Sequence, residues 1–527
     1  MVKIENIMKK IYMAIIAFVL LIGGTSCSDD FGDMNVDPNS TTTVEPKFFF
    51  NAMLQEVFAN YQRNVNLYPD LYSQYWANTI SGFASPRYEY VDGWIGNQWN
   101  EHFTRQLRRS LAMDEMYAED SYYVDAIAIK EIWMCYWWSR MTDTYGDVPY
   151  FGAGLSDEVP YSSQKEIYYD LLTKLDEAVH GITGEGYGYG KEYDLMFGGD
   201  ALKWQRFGNS LRLRLAMRLS NVDPVRAEAE AIAAVNGPGG LLSGNDEVAK
   251  VPMSSKGWYD YLHQMAWNWN NIRMSKTFSD YLYDQSSVGE DPRTSLWFAY
   301  QRKEGDEVVP KTKEDLELDR YYGIENGYNL VPSDAKDKYA TINLEGGYID
   351  FAGEGENAMY CPVMFYSEVK FLMAEAALRG WVSGDANALF KEGIQASMEY
   401  VGVNADAAQA YLDGVTNLTG SNEAQLKQII TQKWLANFPN GVEGWADFRR
   451  TDYPDLSLPV DGVSGSSTVA EGTWVKRVRY PDNEHRQNEE NMPNGMQDVT
   501  TDRMDIKVWW DVADTKTKSN GLMSSNF

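Results

Sequence analysis

The chain has 527 residues, with 76 acidic against 47 basic side chains and a formal net charge of -29. Such a surface repels nucleic-acid phosphates and anionic lipid headgroups, which excludes both as ligands. The length allows a large buried core, and an aromatic content of 14%, with 35 Tyr and 17 Trp, supplies rings whose polar edges suit half-wet surfaces as well as cores.

The first element in chain order is an export signal. Lys3, Lys9 and Lys10 precede an apolar run over residues 11–22, followed by Gly23, Gly24, Thr25, Ser26 and Cys27. The apolar run is roughly half the ~20 residues that a membrane-spanning helix needs, so it reads as a cleaved peptide and not as a retained span. A cysteine at the cleavage point carries the thiol that lipoprotein maturation alkylates. The reading is a lipoprotein signal peptide over 1–26 and a flexible leader over 27–43, lipidated on Cys27. An ordinary secretory peptide with an incidental cysteine is the alternative.

Helical periodicity then dominates. Apolar positions recur at three and four over residues 46–63, 67–79, 97–116 and 122–140; the last carries Ile127, Trp133, Met134, Trp137 and Trp138 as an aromatic face. The turn formers in Thr142-Asp143-Thr144-Tyr145-Gly146-Asp147-Val148-Pro149 predict that this helix stops at Thr142. Residues 164–179 and 202–219 read as further helices, and Asp223-Pro224 as the cap and first turn of another. Residues 237–364, rich in Gly, Pro, Asn and Tyr, read as a loop-rich insert with short strands and a short helix over 274–283. Helices return over 365–379, closed by Gly380, then up to residue 400 behind an Asp385 cap, and over 423–438. The small residues Ala376, Ala377 and Gly384 allow two antiparallel helices to approach closely. Residues 454–494 are turn-rich, and Val508-Trp509-Trp510 reads as a short strand or a docking tail.

These elements make a mainly α fold, in which tetratricopeptide-like helical hairpins form a superhelical scaffold around the loop-rich insert. The helical blocks cover about 44–236 and 365–450, the irregular C-terminal region covers 451–527, and all of 44–527 reads as a single domain. Arg212, Arg214 and Arg218 read as scaffold ion pairs between hairpins, and Arg449 and Arg450 beside Asp447 as an ion-pair knot. Cys135 and Cys361 read as buried free thiols, with a disulfide between them as the alternative.

Several segments carry a family resemblance. They are Asp30-Phe31-Gly32-Asp33-Met34-Asn35-Val36-Asp37-Pro38-Asn39, the turn from Thr142 through Tyr150, and Asn209-Ser210-Leu211-Arg212-Leu213-Arg214 with its continuation to Arg218. Ala374-Glu375-Ala376-Ala377-Leu378-Arg379-Gly380-Trp381, Gly444-Trp445-Ala446-Asp447-Phe448-Arg449-Arg450-Thr451, and Arg479-Tyr480-Pro481 with Glu484 and Asn488 follow in order. The ordered set resembles the SusD/RagB family of Bacteroidetes outer-membrane lipoproteins, in its SusD-like branch. The resemblance implies a surface-exposed lipoprotein of the outer membrane that captures oligosaccharides and acts as a lid over a SusC-like TonB-dependent transporter. A peptide-binding lid and a surface glycoside hydrolase are the alternatives. Ser28-Asp29-Asp30 is similar to the acidic surface-export signal of such lipoproteins.

No arrangement of residues points to catalysis, so the reading is a binding protein without catalytic residues, metal ligands or cofactor. His102, His180, His263 and His485 lack zinc-motif spacing, and the Glu354 and Glu356 pair reads as a solvated loop. Asp143 and Asp147 lack the alternating oxygen ligands of a calcium loop and read as a turn. A sugar presents an apolar face edged by hydroxyls, so its site needs flat rings flanked by amides or charges. Two stretches have that mixture. The first holds Arg87, Tyr88, Trp94, Asn97 and Trp99, and the second holds Trp258, Tyr259, Trp267, Asn268 and Trp269. Trp94, Trp99, Trp258 and Trp269 read as platforms, with Arg87, Asn97 and Asn268 as polar partners. The competing reading is that these rings pin long loops to the helical body.

Overall fold

Most of the longer helices begin where a side chain can satisfy the free amides of the first turn, a contribution of about 1 kcal/mol each. The computed structural model describes residues 45–512 apart from 58–60, 118–120, 157, 253–261, 263, 305–306, 344–359 and 463–467. Counting helices of nine residues or more among them, α1 is Pro46–Gln55, α2 Arg108–Tyr117, α3 Val124–Tyr145, α4 Gln164–Gly181, α5 Ala201–Arg218 and α6 Pro224–Val235. Then come α7 Lys276–Asp284, α8 Tyr366–Leu378, α9 Ala386–Val401, α10 Ala405–Gly414, α11 Asn422–Ala436 and α12 Gly441–Thr451. Ser163 and Glu166 form a full capping box on α4, and Asp223 caps α6 with Pro224 in its first turn. Asp385 caps α9 by accepting from the Ala388 amide, and Gly380 closes α8 at φ +77.

Two helix boundaries differ from the periodicity. α3 continues through Thr142, Asp143 and Thr144 and stops only at Gly146, whose φ is +85. The polar residues are buried there and bonded: Thr144 Oγ1 donates to the Arg140 carbonyl and Trp510 Nε1 donates to Asp143 Oδ1. Tertiary partners thus outweigh their turn propensity. The helix expected over 67–79 is helical only at Pro69–Tyr72; Trp76–Asn78 is instead strand β1. Residues 508–510 form no strand; Trp510 docks on the body, buried against Asp143 and Arg218.

The sheets are small and antiparallel. β1 pairs with β5 (Ile272–Met274), β2 (Val148–Pro149) with β3 (Tyr161–Ser162), and β4 (Ala249–Pro252) with β9 (Tyr360–Met364). β6 (Phe298–Glu304) lies between β7 (Glu307–Lys311) and β8 (Thr341–Ile342). The fold is mainly helical.

The hairpins pack as α3 on α4, α5 on α6, and α8 on α9, with α11 against α8 and α9. Gly208 in α5 is needed where α4 and α3 meet it, because an added Cβ would lie 2.5 Å from Val179 Cγ1 and 2.9 Å from Ile132 Cδ1. Buried ion pairs tie the two helical blocks. Arg214 of α5 grips Glu368 of α8 with two bonds of 2.7 Å, and Arg218 reaches Glu443 of α12 at 2.6 Å. The expected Arg449–Arg450–Asp447 knot has other partners. Arg450 is bidentate on Glu375 at 2.7 and 2.6 Å, Asp447 accepts from Lys433 at 2.8 Å, and Arg449 lies 3.6 Å from the Trp445 ring centroid. Burial raises the Glu375 carboxyl, but Arg450 and Arg379 outweigh it and hold it at about 2. Cys135 and Cys361 are both buried and free.

The readings for Cys27, the signal peptide, the leader, Trp258, Tyr259, His263, Glu354 and Glu356 lie outside the described residues, as does the side chain of Asn268.

Candidate ligand-binding face

Backbone pairing brings the two aromatic stretches together. β1 leads into the first stretch and β5 follows the second, and their pairing is extended where the Thr79 amide donates to the Asn271 carbonyl at 2.9 Å. Two further segments join them. Gly82 N donates to Asn329 O at 2.7 Å and Val331 N to Ser81 Oγ at 2.9 Å, while Val460 N donates to Asn326 O at 2.9 Å. Residues 79–99, 264–275, 321–340, 455–462 and 468–473 therefore form one loop face above the helices.

Gly327 is where three of these segments converge. At φ +90, an added Cβ would sit 2.3 Å from Pro459 Cβ and 3.1 Å from the Pro86 carbonyl oxygen. Asn326 anchors the same turn by donating to the Trp76 carbonyl at 2.8 Å. Residues 455–462 and 468–473 form the two arms of a strap beside this face. It encloses a cavity of about 400 Å³ with Tyr88, lined by Leu458, Pro459, Val460, Asp461 and Gly462 on one arm and by Val469 to Thr473 on the other. Leu458 and Val460 also line a smaller cavity of about 160 Å³, shared with Lys276, Thr277, Asp280, Tyr281, Glu325, Asn326, Asp455 and Ser457. Leu458 and Val460, which line both cavities, are exposed, as are Ile80 and Leu330 of the neighbouring segments, Leu330 to 79%. The cavity wall thus offers apolar surface edged by backbone amides, carboxylates and hydroxyls, which suits a polyhydroxylated ligand with an apolar face.

The anticipated side chains differ in how far they are enclosed. Trp94 is half-buried and stacks on Phe83, with ring centroids 5.1 Å apart at an interplanar angle of 20°. Arg87 is beside this pair: its Nε donates to the Phe83 carbonyl at 3.3 Å and its guanidinium meets Glu89 at 2.8 Å. Trp269 is half-buried against the core. Trp267 is half-buried too, and its indole N–H is used on the Ile342 carbonyl at 3.1 Å. Asn97 donates to Asn64 Oδ1 at 2.8 Å and so serves the interior.

Trp99 and Tyr88 are corrections. Trp99 is 5% exposed, packed among Phe103, Tyr145, Tyr161 and Tyr480, and has no free face for a sugar. It sits on the buried side of the helical run that begins at Asn97, a burial signal already present in the periodicity. Tyr88 is 6% exposed, left-handed at φ +64, and edge-on to Tyr72; burial raises its phenol, which stays neutral. It forms the cavity wall without presenting a platform.

The strap was not anticipated. It holds few rings, so a search for aromatic clusters passes over it, and Pro459, Asp461 and Gly462 signal only a turn. The C-terminal motif supports the first aromatic stretch instead. Arg479 lies 4.0 Å from the Tyr90 ring centroid, and the Asp482 amide donates to Asp92 Oδ1, which also accepts from the Tyr90 hydroxyl, both at 2.8 Å.

Comparison with known proteins gives a consistent picture. Residues 38–481 match the SusD-like family model described as "Starch-binding associating with outer membrane". A chitin-binding SusD homologue from Flavobacterium johnsoniae is similar at 28% identity, with a TM-score of 0.73 over 92% of this chain and 100% of that one. A SusD homologue from Parabacteroides distasonis is similar at 26% identity, with a TM-score of 0.73 over 89% of this chain and 98% of that one. A further solved chitin-binding protein shares 26% identity and a TM-score of 0.74 over 89% of this chain and 100% of its own. No curated protein matches the chain.

Proposed function

This chain belongs to the SusD-like family, and on that premise we propose that it is a cell-surface glycan-binding lipoprotein of the outer membrane. The observation that carries the reading is the likeness, over 92% of the chain, to a homologue described as chitin-binding. The loop face supports it, with a stacked Phe83–Trp94 pair and a cavity of about 400 Å³ walled by Tyr88 of the same stretch.

In this proposal Trp94 with Phe83, Arg87 and Trp269 contact the oligosaccharide, joined by Trp258, Tyr259 and Asn268. Tyr88, Asn97, Trp99 and Trp267 hold that face in place. Residues 44–527 act as a single domain, tethered through an acylated Cys27 and the leader, and deliver the ligand to a SusC-like TonB-dependent transporter. The chain binds its ligand and does not turn it over.

Stacking of a base on an aromatic ring is worth ~1–3 kcal/mol, a generous analogue for a sugar. Two or three rings, less the cost of ordering the ligand, place the dissociation constant at about millimolar to micromolar. The test is calorimetric titration of the mature protein with β-1,4-linked N-acetylglucosamine oligomers, α-glucan oligomers and peptides. Saturable binding of an oligosaccharide with no new reducing ends is expected. Release of product, or binding of peptide alone, would overturn the reading.

A further inference from the structure

Among the described residues, buried cations are held by carboxylates or by backbone carbonyls, with one exception. Arg212, Arg214, Arg218, Arg293, Arg450, Arg477, Lys433 and Lys476 each meet a carboxylate. Arg449 donates to the backbone carbonyls of Asp143 and Lys476, and Arg273 to those of Ile272 and Lys336. Arg140, in the last turns of α3, is 5% exposed, and none of the ion pairs among the described residues includes it. Its Nε is buried without a hydrogen-bond partner.

Burial disfavours the charge of Arg140, and the groups that act on it are the hydroxyl of Tyr136, which also hydrogen-bonds it, the hydroxyl of Tyr68 and the thiol of Cys361. Burial raises all three, Cys361 to about 12, so each is neutral at physiological pH. Asp70 on the same side is engaged with the Tyr61 hydroxyl and makes no ion pair with Arg140 among the described residues. The rings of Trp137 and Tyr136 lie 4.9 and 5.6 Å from the guanidinium carbon. Such contacts return about 1–2 kcal/mol, against an effective cost of several kcal/mol for an isolated buried ion. A guanidinium cannot shed its proton to escape that cost.

Beside Arg140 is a cavity of about 10 Å³, lined by Val57, Tyr61, Val65, Tyr136, Cys361, Pro362, Asn440 and Val442. That volume takes one guest of about the size of a water molecule. Phosphate, sulfate and carboxylates are too large. We propose that this cavity is a monatomic-anion site, in which a halide ion, chloride under physiological conditions, neutralises Arg140. The ion would pin together four segments: the end of the N-terminal helical region, α3, β9 and the turn before α12.

Crystals of the mature chain grown in sodium bromide test this directly, through the anomalous signal of bromide. A peak within hydrogen-bonding distance of the Arg140 guanidinium is expected. A cavity holding only water, with no bromide signal, overturns the proposal. In solution, melting temperatures are compared in sodium chloride and sodium gluconate at matched ionic strength. The chloride series should rise by about 1 °C per tenfold increase in concentration above the dissociation constant, from mass action on a chain of this length. Arg140→Met should abolish the difference between the two salts. An undiminished difference in that variant overturns the proposal, and if the variant does not fold, the bromide crystals of the unaltered chain decide.

Discussion

Trp94 and Trp99 belong to one short stretch, yet their rings are held differently. Trp94 keeps part of its surface and stacks on Phe83, whereas Trp99 is enclosed by Phe103, Tyr145, Tyr161 and Tyr480. Trp94→Ala should therefore weaken glycan binding about tenfold or more while leaving the melting temperature nearly unchanged. Trp99→Ala should instead cost about 3–5 kcal/mol of stability, as deletion of a buried indole does. Calorimetric titration and thermal unfolding of the two variants separate these effects, and equal loss of stability in both would remove Trp94 from the ligand face. Asp70 makes a second prediction at this scale. Burial pushes its carboxyl up to about 8, against hydrogen bonds from Tyr61 and the Gly441 amide that favour the anion. The folded state thus binds more protons than the unfolded one between about pH 4 and pH 8, and stability falls as pH rises through that window. Asp70→Asn should flatten this dependence and raise stability at neutral pH; denaturant unfolding at pH 5 and pH 8 measures both, and an unchanged pH slope would contradict it.

The loop face depends on the turn at Gly327 more than on any ring. A Cβ at φ +90 is strained, and this one would also collide with Pro459. Gly327→Ala should cost at least about 1–2 kcal/mol, expose the strap to limited proteolysis, and reduce ligand affinity although residue 327 lines neither cavity. Unaltered cleavage and affinity would show that the strap is set elsewhere. The same turn explains what could be read in advance. Helices with local signals, such as the Ser163 and Asp223 caps and the Gly380 stop, were legible because their causes lie within a few residues. β1 was not, since its strand character comes from Ile272–Met274, about two hundred residues later. The strap cavity was hidden for the same reason: Tyr88, Gly327 and Pro459 mean little until the chain brings them together. The loop position of Trp94 follows from local composition, whereas the burial of Trp99 is set by its helical register, which composition does not report.

At the scale of the molecule, the buried pairs Arg214–Glu368 and Arg218–Glu443 tie elements on either side of the insert, so the loop face rests on a body held by internal ion pairs. A rigid body with a weak site suits a protein that works beside a fixed acceptor. The proposed binding strength of about millimolar to micromolar would retain little ligand if the protein diffused freely. Tethering beside a transporter raises the local concentration to about the millimolar range, which makes such a site effective without any new contact. Acyl chains on Cys27, at ~0.8 kcal/mol per buried methylene, would make that hold lasting. Cys27→Ala separates the two contributions. The purified variant should bind oligosaccharide with the affinity of the unaltered mature chain, because the loop face is intact. Cells carrying it should lose the protein from the outer-membrane fraction and grow poorly when the oligosaccharide is scarce. Growth equal to that of unaltered cells, with the variant absent from the membrane, would show that capture does not need the anchor.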